Sequence, residues 1–344
     1  MSEAINDDLI LLKGEDVRKL LAGREKDVLS VVGQAYQAHD QGKTAMPADS
    51  YLRFPGRERE RIISKVAWLG EGFNAAGIKW IASFPENVDR GIERASATLI
   101  LNSTETGRPL ALMESSLISA KRTAASAALG AQQLYPEAGL RRVGMVGCGL
   151  INFEILRFLL AVYPGLSEID LFDLDPSRGR QFAERAASLK PGLSFNLRSE
   201  MGSVITASPV VSLATTAVVP HIDSVQGCQP NAVFLHISLR DFTPEVMLSG
   251  DNVVDDRDKV ASNQTSVHLA EQQCGDRQFI RASIGEILNG DAAQHATGRP
   301  YTIYSPFGLG ILDIALANHL YGLARQDQVG TSIEGFFPTP WLDR

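Results

Sequence analysis

Residues 141–160, RRVGMVGCGLINFEILRFLL, decide how this 344-residue chain folds. An apolar run at 143–146 breaks off at Gly147-Cys148-Gly149, and a stretch that is apolar on nearly every side follows at once. The segment therefore reads as strand, tight turn and helix. In such a turn the first glycine takes the bend and the second lets a ligand approach the backbone. The free N–H groups at the helix start then attract phosphate. Asn152 stands where the strict GxGxxG pattern has its third glycine. A second apolar run, 168–172, ends at Asp173, the spacing at which an acid accepts hydrogen bonds from a ribose and repels a 2'-phosphate. Together these features point to a dinucleotide, with NAD favoured over NADP. Gly147, Gly149, Leu150, Ile151 and Asp173 are the expected contacts, and glycines serving packing alone are the competing reading.

Outward from this loop, apolar runs at 194–197, 210–213, 232–237 and 252–254, and a last one at 301–304, alternate with helical stretches. They predict a parallel sheet covered on both faces. Upstream the pattern differs. Helices are expected at 15–22 and 25–40, then strands at 50–54, 62–69, 78–84, 97–102 and 109–114, with residues 104–107 (TETG) as a hairpin turn. The charge-dense run GRERERIISK at 56–65 mixes both signs and reads as a solvated hairpin loop. An alanine-rich helix at 116–134 marks the change of pattern, and the apolar stretch 308–324 returns to pack on the first half. The expected fold is α/β: a Rossmann-type doubly wound parallel sheet, residues 121–314, inserted in a mixed α+β dimerisation and substrate domain made of 1–120 plus 315–344.

Composition bounds the function. A net charge of -7 argues against a non-specific nucleic-acid binder, and 44% hydrophobic with 21% charged residues suits a folded enzyme. No stretch is apolar for long enough to span a membrane and the start lacks a basic leader, so a cytoplasmic protein is expected. Three widely spaced cysteines fit reduced thiols, and the six histidines never fall near other ligand-type residues, so no metal is expected. The chain has no GxSxG elbow, which argues against a hydrolase.

Five segments carry a resemblance: AGIKWIASFPEN at 76–87, MESSLISAKRTAAS at 113–126, GCGLIN at 147–152, HISLRDF at 236–242 and SPFGLGILD at 305–313. On these the chain resembles the ornithine cyclodeaminase and μ-crystallin superfamily over its whole length. Within it, the likeness is to the 2,3-diaminopropionate biosynthesis dehydrogenases of the staphyloferrin B siderophore pathway. The resemblance implies a homodimer whose first-domain strands pair with the partner's, and NAD held by the Rossmann domain. It places Lys79 and Arg53 on the substrate carboxylate, Arg122 beside that carboxylate and the cofactor, and Asp241 toward the substrate nitrogen. Each has a plainer alternative: a strand edge for Lys79, a surface position for Arg122, a cap for Asp241 and a loop position for Arg53.

The superfamily's cyclodeaminases have Gly-Gly-Asp-Cys-Pro-Gly-Lys around the catalytic aspartate, whereas this chain has Ser238-Leu-Arg-Asp-Phe-Thr-Pro244. That departure counts against ornithine cyclisation and offers Arg240 to a further carboxylate. Thr215, Thr216, Ser238 and Ser305 are the remaining expected cofactor contacts, and His236 reads as a satisfied buried histidine. The resemblance then implies NAD-dependent oxidation of a small amino-acid substrate, N-(1-amino-1-carboxy-2-ethyl)-L-glutamate, to 2-oxoglutarate and L-2,3-diaminopropionate. Lys79 and Asp241 are the proton-handling groups, and which is the base stays open. The alternatives are an ornithine cyclodeaminase, a ketimine or alanine-type reductase, and a non-catalytic crystallin-like binding protein.

Overall fold

The computed structural model describes residues 8–338, except 71 and 297, together with Trp341; the opening residues read for a leader lie outside this range. The chain divides into two compact units. The first comprises residues 1–24, 41–119 and 310–344, and the second residues 25–40 and 120–309.

Unit one is built on a mixed sheet. Its strands are β1 (Leu9–Leu12), β2 (Thr44–Ala45), β3 (Ser50–Phe54), β4 (Arg57–Leu69), β5 (Ala75–Ser83), β6 (Ala95–Ser103) and β7 (Pro109–Glu114). β4 to β7 form an antiparallel meander, β3 pairs with β4, and β1 lies parallel to β7. Alternate residues face opposite sides. Ala67, Leu69, Leu99, Leu101, Ala111 and Met113 bury one face, covered by α1 (Gly14–Leu21) and the helix Gly310–Asp327. The other face keeps Leu52, Val66, Trp68 and Trp80 more than 40% exposed.

The expected loop at 56–65 is corrected here. Only Pro55 and Gly56 turn, and from Arg57 onward the chain is strand. β4 has a ladder partner on each side, β3 and β5, so its backbone groups are paired whatever the side-chain charges.

Unit two contains α2 (Glu25–Asp40) and most of α3 (Ser116–Leu134). Its sheet runs through β8 (Arg142–Val146), β9 (Glu168–Phe172), β10 (Ser194–Leu197), β11 (Val210–Leu213), β12 (Ala232–His236), β13 (Asp251–Val254), β14 (Ile280–Ser283) and β15 (Tyr301–Ser305). The strand order is β10-β9-β8-β11-β12-β15-β13-β14, with every neighbour parallel. The chain travels outward from β8 to β10, then returns to place β11 on the other side of β8. That reversal opens a crevice at the strand ends between β8 and β11, where ligands of open α/β sheets bind. α4 (Leu150–Val162) starts there.

Helix α2, read in sequence as opening the first domain, groups with unit two. The Tyr36 hydroxyl meets Ser126 Oγ at 2.7 Å, and Ser126 meets the Tyr304 hydroxyl at 3.0 Å, all three buried. After the helix Gly310–Asp327, β16 (Thr331–Ile333) pairs antiparallel with β1 at the edge of unit one's sheet. Among the described residues no helix is long and apolar enough to cross a membrane, and no three His, Cys, Asp or Glu side chains gather to hold a metal.

Candidate active site

The loop after β8 is shaped by contacts that separate its two glycines. Gly147 has φ +88°, and a Cβ there would lie 2.6 Å from the Ala214 carbonyl oxygen, so no other residue fits. Gly149 is different. A Cβ there would meet only Arg178 Nη2, at 3.7 Å, so nothing inside the protein demands a glycine. The space beside it lies at the start of α4, where Leu150 is 52% exposed. A phosphate approaching these N–H groups would use both that space and the helix dipole.

Asn152 explains the broken glycine pattern. Its amide nitrogen donates to the Val146 and Gly147 carbonyls at 2.9 and 2.7 Å, and its oxygen accepts from Ser212 Oγ at 2.7 Å. One buried side chain thus ties the first turn of α4 to β8 and β11 across the crevice. Asp173 also holds the loop: Oδ2 accepts from the Cys148 N–H at 2.7 Å and Oδ1 from the Asp175 N–H at 3.0 Å. It borders a cavity of about 270 Å³ lined by Leu171, Leu174, Pro176, Leu197 and Arg198. Arg198 is already committed to Asp170, at 2.6 Å. A larger cavity, about 630 Å³, opens by Val225, Cys228 and Tyr301, at the opposite end of the strands, and contains none of the candidate residues.

Asp241 is the hub at the carboxyl ends of β11, β12 and β15. Thr215 Oγ1 donates to Oδ1 at 2.5 Å, Ser238 Oγ donates to Oδ2 at 2.5 Å, and His236 Nε2 stands 3.2 Å from Oδ2. His236 is fully buried, and its Nδ1 meets Ser305 Oγ at 3.1 Å. Burial pushes the Asp241 carboxyl upward, yet the bonds from His236, Ser238 and Thr215 outweigh it and leave the group at about 2. It is an ionised carboxylate in a nearly closed setting. Just before it, Leu239 holds φ +67°, a left-handed conformation normally left to glycine. Arg240 Nη2 donates to the Asn263 carbonyl at 2.7 Å.

Arg122, 7% exposed, borders the turn after β15: a Cβ on Gly308, at φ +88°, would come 2.6 Å from Arg122 Nη1. Asp255 holds the same turn by accepting the Phe307 and Gly308 N–H groups, both at 2.8 Å. Burial raises the Asp255 carboxyl to about 6, with Asp256 adding to the rise and the two N–H bonds opposing it.

In unit one, Lys79 is 1% exposed in the middle of β5 and its ammonium lies 2.7 Å from Asp313 Oδ2 on the helix Gly310–Asp327. It also donates to Ser119 Oγ at 3.1 Å. Asp313, the partner of Lys79, was not among the candidates although its segment was read. The available signal was an acid in a helix apolar all round, which demands a cationic partner by the same reasoning applied to Lys79. The structure does not bring Arg53 to Lys79. Lys79 faces Lys65 in the β4–β5 register, whereas Arg53 faces Arg61, four residues further along β4 and about 13 Å away along the strand. The cofactor candidates Thr215, Ser238 and Ser305 are occupied by Asp241 or His236, and Thr216 is exposed.

Comparison with known proteins places these features in context. The profile of the ornithine cyclodeaminase/mu-crystallin family matches residues 10–328. The N-((2S)-2-amino-2-carboxyethyl)-L-glutamate dehydrogenase of Staphylococcus aureus is 28% identical over 339 residues, 96% of this chain and 99% of that protein. The alanine dehydrogenase of Archaeoglobus fulgidus is 27% identical over 96% of this chain and 99% of its own. The structure of Thermococcus litoralis Δ1-pyrroline-2-carboxylate reductase, solved with NADH and L-proline, superposes with a TM-score of 0.87 at 24% identity over 94% of this chain and 100% of that one.

Proposed function

The chain belongs to the ornithine cyclodeaminase/mu-crystallin family, and from that premise we propose that it is an NAD-dependent amino-acid dehydrogenase acting on a CH–NH bond. Its substrate in this reading is N-(1-amino-1-carboxy-2-ethyl)-L-glutamate, the compound in the name of the staphylococcal relative. Substrate, NAD and water give 2-oxoglutarate, L-2,3-diaminopropionate, NADH and a proton, a reaction suited to siderophore or peptide natural-product assembly. The observation that carries the proposal is the ionised Asp241, three hydrogen bonds deep, on the same sheet edge as a glycine loop open at Gly149.

The residues present fit the dinucleotide. Gly147, Gly149, Leu150 and Ile151 would hold the pyrophosphate at the start of α4, and Asp173 beside its cavity would hold the adenosine ribose. Bound NAD would take the hydride from the substrate carbon that carries the nitrogen. Asp241 stabilises the positive charge on that nitrogen. A carboxyl at about 2 is a weak base at neutral pH, and Lys79 is the other proton-handling group of this reading. Arg122 supplies a planar fork for a carboxylate, a geometry a lysine cannot reproduce. The exposed Leu52, Val66, Trp68 and Trp80, on one face of unit one's sheet, support a homodimer through that face, and the three free cysteines fit a cytoplasmic protein.

The test is NADH absorbance on mixing the protein with NAD and the glutamate adduct, with ornithine and alanine in parallel. Turnover of the adduct alone is expected. Turnover of either control with no reaction of the adduct overturns the choice of substrate.

A further inference from the structure

The loop that leaves β11 returns to the chain around Asp241 and is fixed to it at both ends. The His221 and Ile222 N–H groups both donate to the Asp241 carbonyl, at 2.9 and 2.8 Å, and the Thr243 N–H donates to the Ile222 carbonyl at 3.0 Å. Ile222 thereby forms a parallel bridge with Phe242. At the start of the loop Thr215 Oγ1 donates to Asp241 Oδ1 and accepts the Ala217 N–H at 3.1 Å. These bonds set the His221 backbone. Its imidazole Nε2 stands 3.9 Å from Asp241 Oδ1, with 39% of the side chain exposed.

The two oxygens of Asp241 differ in what they can still accept. Oδ2 takes the Ser238 hydroxyl and faces His236 Nε2. Among the described residues Oδ1 takes the Thr215 hydroxyl alone, and a carboxylate oxygen has room for a second donor. His221 is too far away to be that donor. An N–H or O–H group held off the line between Oδ1 and His221 Nε2 reaches both at about 2.8 Å. Of the two imidazoles beside the carboxylate, His236 is sealed, with Nδ1 on Ser305 Oγ and Nε2 on Asp241, whereas His221 reaches solvent. The charged residues nearest them in sequence point elsewhere: Arg240 donates to the Asn263 carbonyl, and Asp223 lines the cavity by Val225 and Tyr301.

We propose that His221 is the base that takes the proton from the substrate nitrogen held at Asp241 Oδ1. This deepens the dehydrogenase reading and rests on it for the reacting nitrogen. An amine that carries its extra proton has no lone pair to stabilise the neighbouring carbon as a hydride leaves, so that proton departs first. The N–H bond breaks, its electron pair stays on nitrogen, and the proton joins the Nε2 lone pair of His221. The exposed ring then hands it to water. Imidazole is suited to this exchange near neutral pH. Asp241, closed to solvent, keeps the task of stabilising the positive charge.

Rates of NADH formation from NAD and the glutamate adduct between pH 6 and pH 9.5, in the wild type, His221→Gln and His221→Ala, test the base. His221→Gln is expected to lower kcat/KM by about a hundredfold at pH 7 and by under about fivefold at the alkaline end, where the substrate amine arrives neutral. NADH affinity within twofold of wild type shows that the loop and the fold are kept. Imidazole added to the solution restores the alanine variant at least tenfold and leaves the wild type unchanged. A glutamine variant within threefold of wild type at pH 7, or a deficit that is level across the range, overturns the assignment. A wild type silent with the adduct that turns over alanine or ornithine rejects the named substrate, and the same profile on the compound that reacts then judges His221. Turnover of none of the three rejects the dehydrogenase reading and the base with it.

Discussion

The two units hold their buried charge in opposite ways. In unit two the polar groups gather where parallel strands end, and Asp241 is surrounded by His236, Ser238 and Thr215 from neighbouring strand ends. In unit one Lys79 stands mid-strand on the buried face of a sheet, and Asp313 comes from the helix that covers it. Strand ends leave side chains room for polar partners from neighbouring loops, as the groups around Asp241 do. A mid-strand charge is part of the core, so any change to it is felt first as a change in stability.

The largest expected effect breaks the core pair. Asp313→Leu leaves the buried Lys79 ammonium without this carboxylate and is expected to cost about 3–5 kcal/mol in urea unfolding, while Lys79→Met with Asp313→Leu recovers most of that loss. A cost below about 1 kcal/mol for the single variant would show that the pair is not what holds the charge. Next come the two glycines of the crevice. Gly147→Ala should cost about 2–4 kcal/mol through its left-handed backbone and the Ala214 carbonyl. Gly149→Ala should change stability by under about 1 kcal/mol yet weaken NADH binding more than tenfold in a fluorescence titration. Equal effects of the two on stability would dissolve the distinction between a glycine required by the fold and one left for a ligand.

The smallest effect sharpens the hub. Asp241 is depressed from 3.8 to about 2 in the folded protein, so its contribution is full above the unfolded value and is lost as pH falls through about 2. The stability gap between wild type and Asp241→Asn should therefore shrink by about 2 kcal/mol between pH 5 and pH 2. A gap that stays level across that window is incompatible with a carboxylate held ionised by His236, Ser238 and Thr215.

The parallel sheet was legible because its strands are continuous apolar runs and its loop has a glycine with one backbone solution. β2 and β16 were not, since two or three residues carry too little periodicity, and β1 and β14 also went unread. The charged strand 57–65 misled for a related reason: pairing on both sides makes a strand out of residues whose composition suggests solvent. Lys79, Arg122 and Asp241 were singled out as candidates by family likeness, and their burial and pairing came only with the structure. Asp313 and the role of His236 as a partner of Asp241 lay in segments already singled out. What sequence could not supply was the pairing of a residue with one more than 200 positions away.

The Cys148 thiol, finally, sits inside the crevice loop between its two glycines. It is 8% exposed, and burial and the neighbouring Asp173 push it up to about 12. At neutral pH only on the order of one molecule in 10⁵ carries the thiolate that peroxides and alkylating agents attack. The loop is thereby insulated from oxidative damage, and thiol reagents should label the exposed Cys274 long before they report on the crevice.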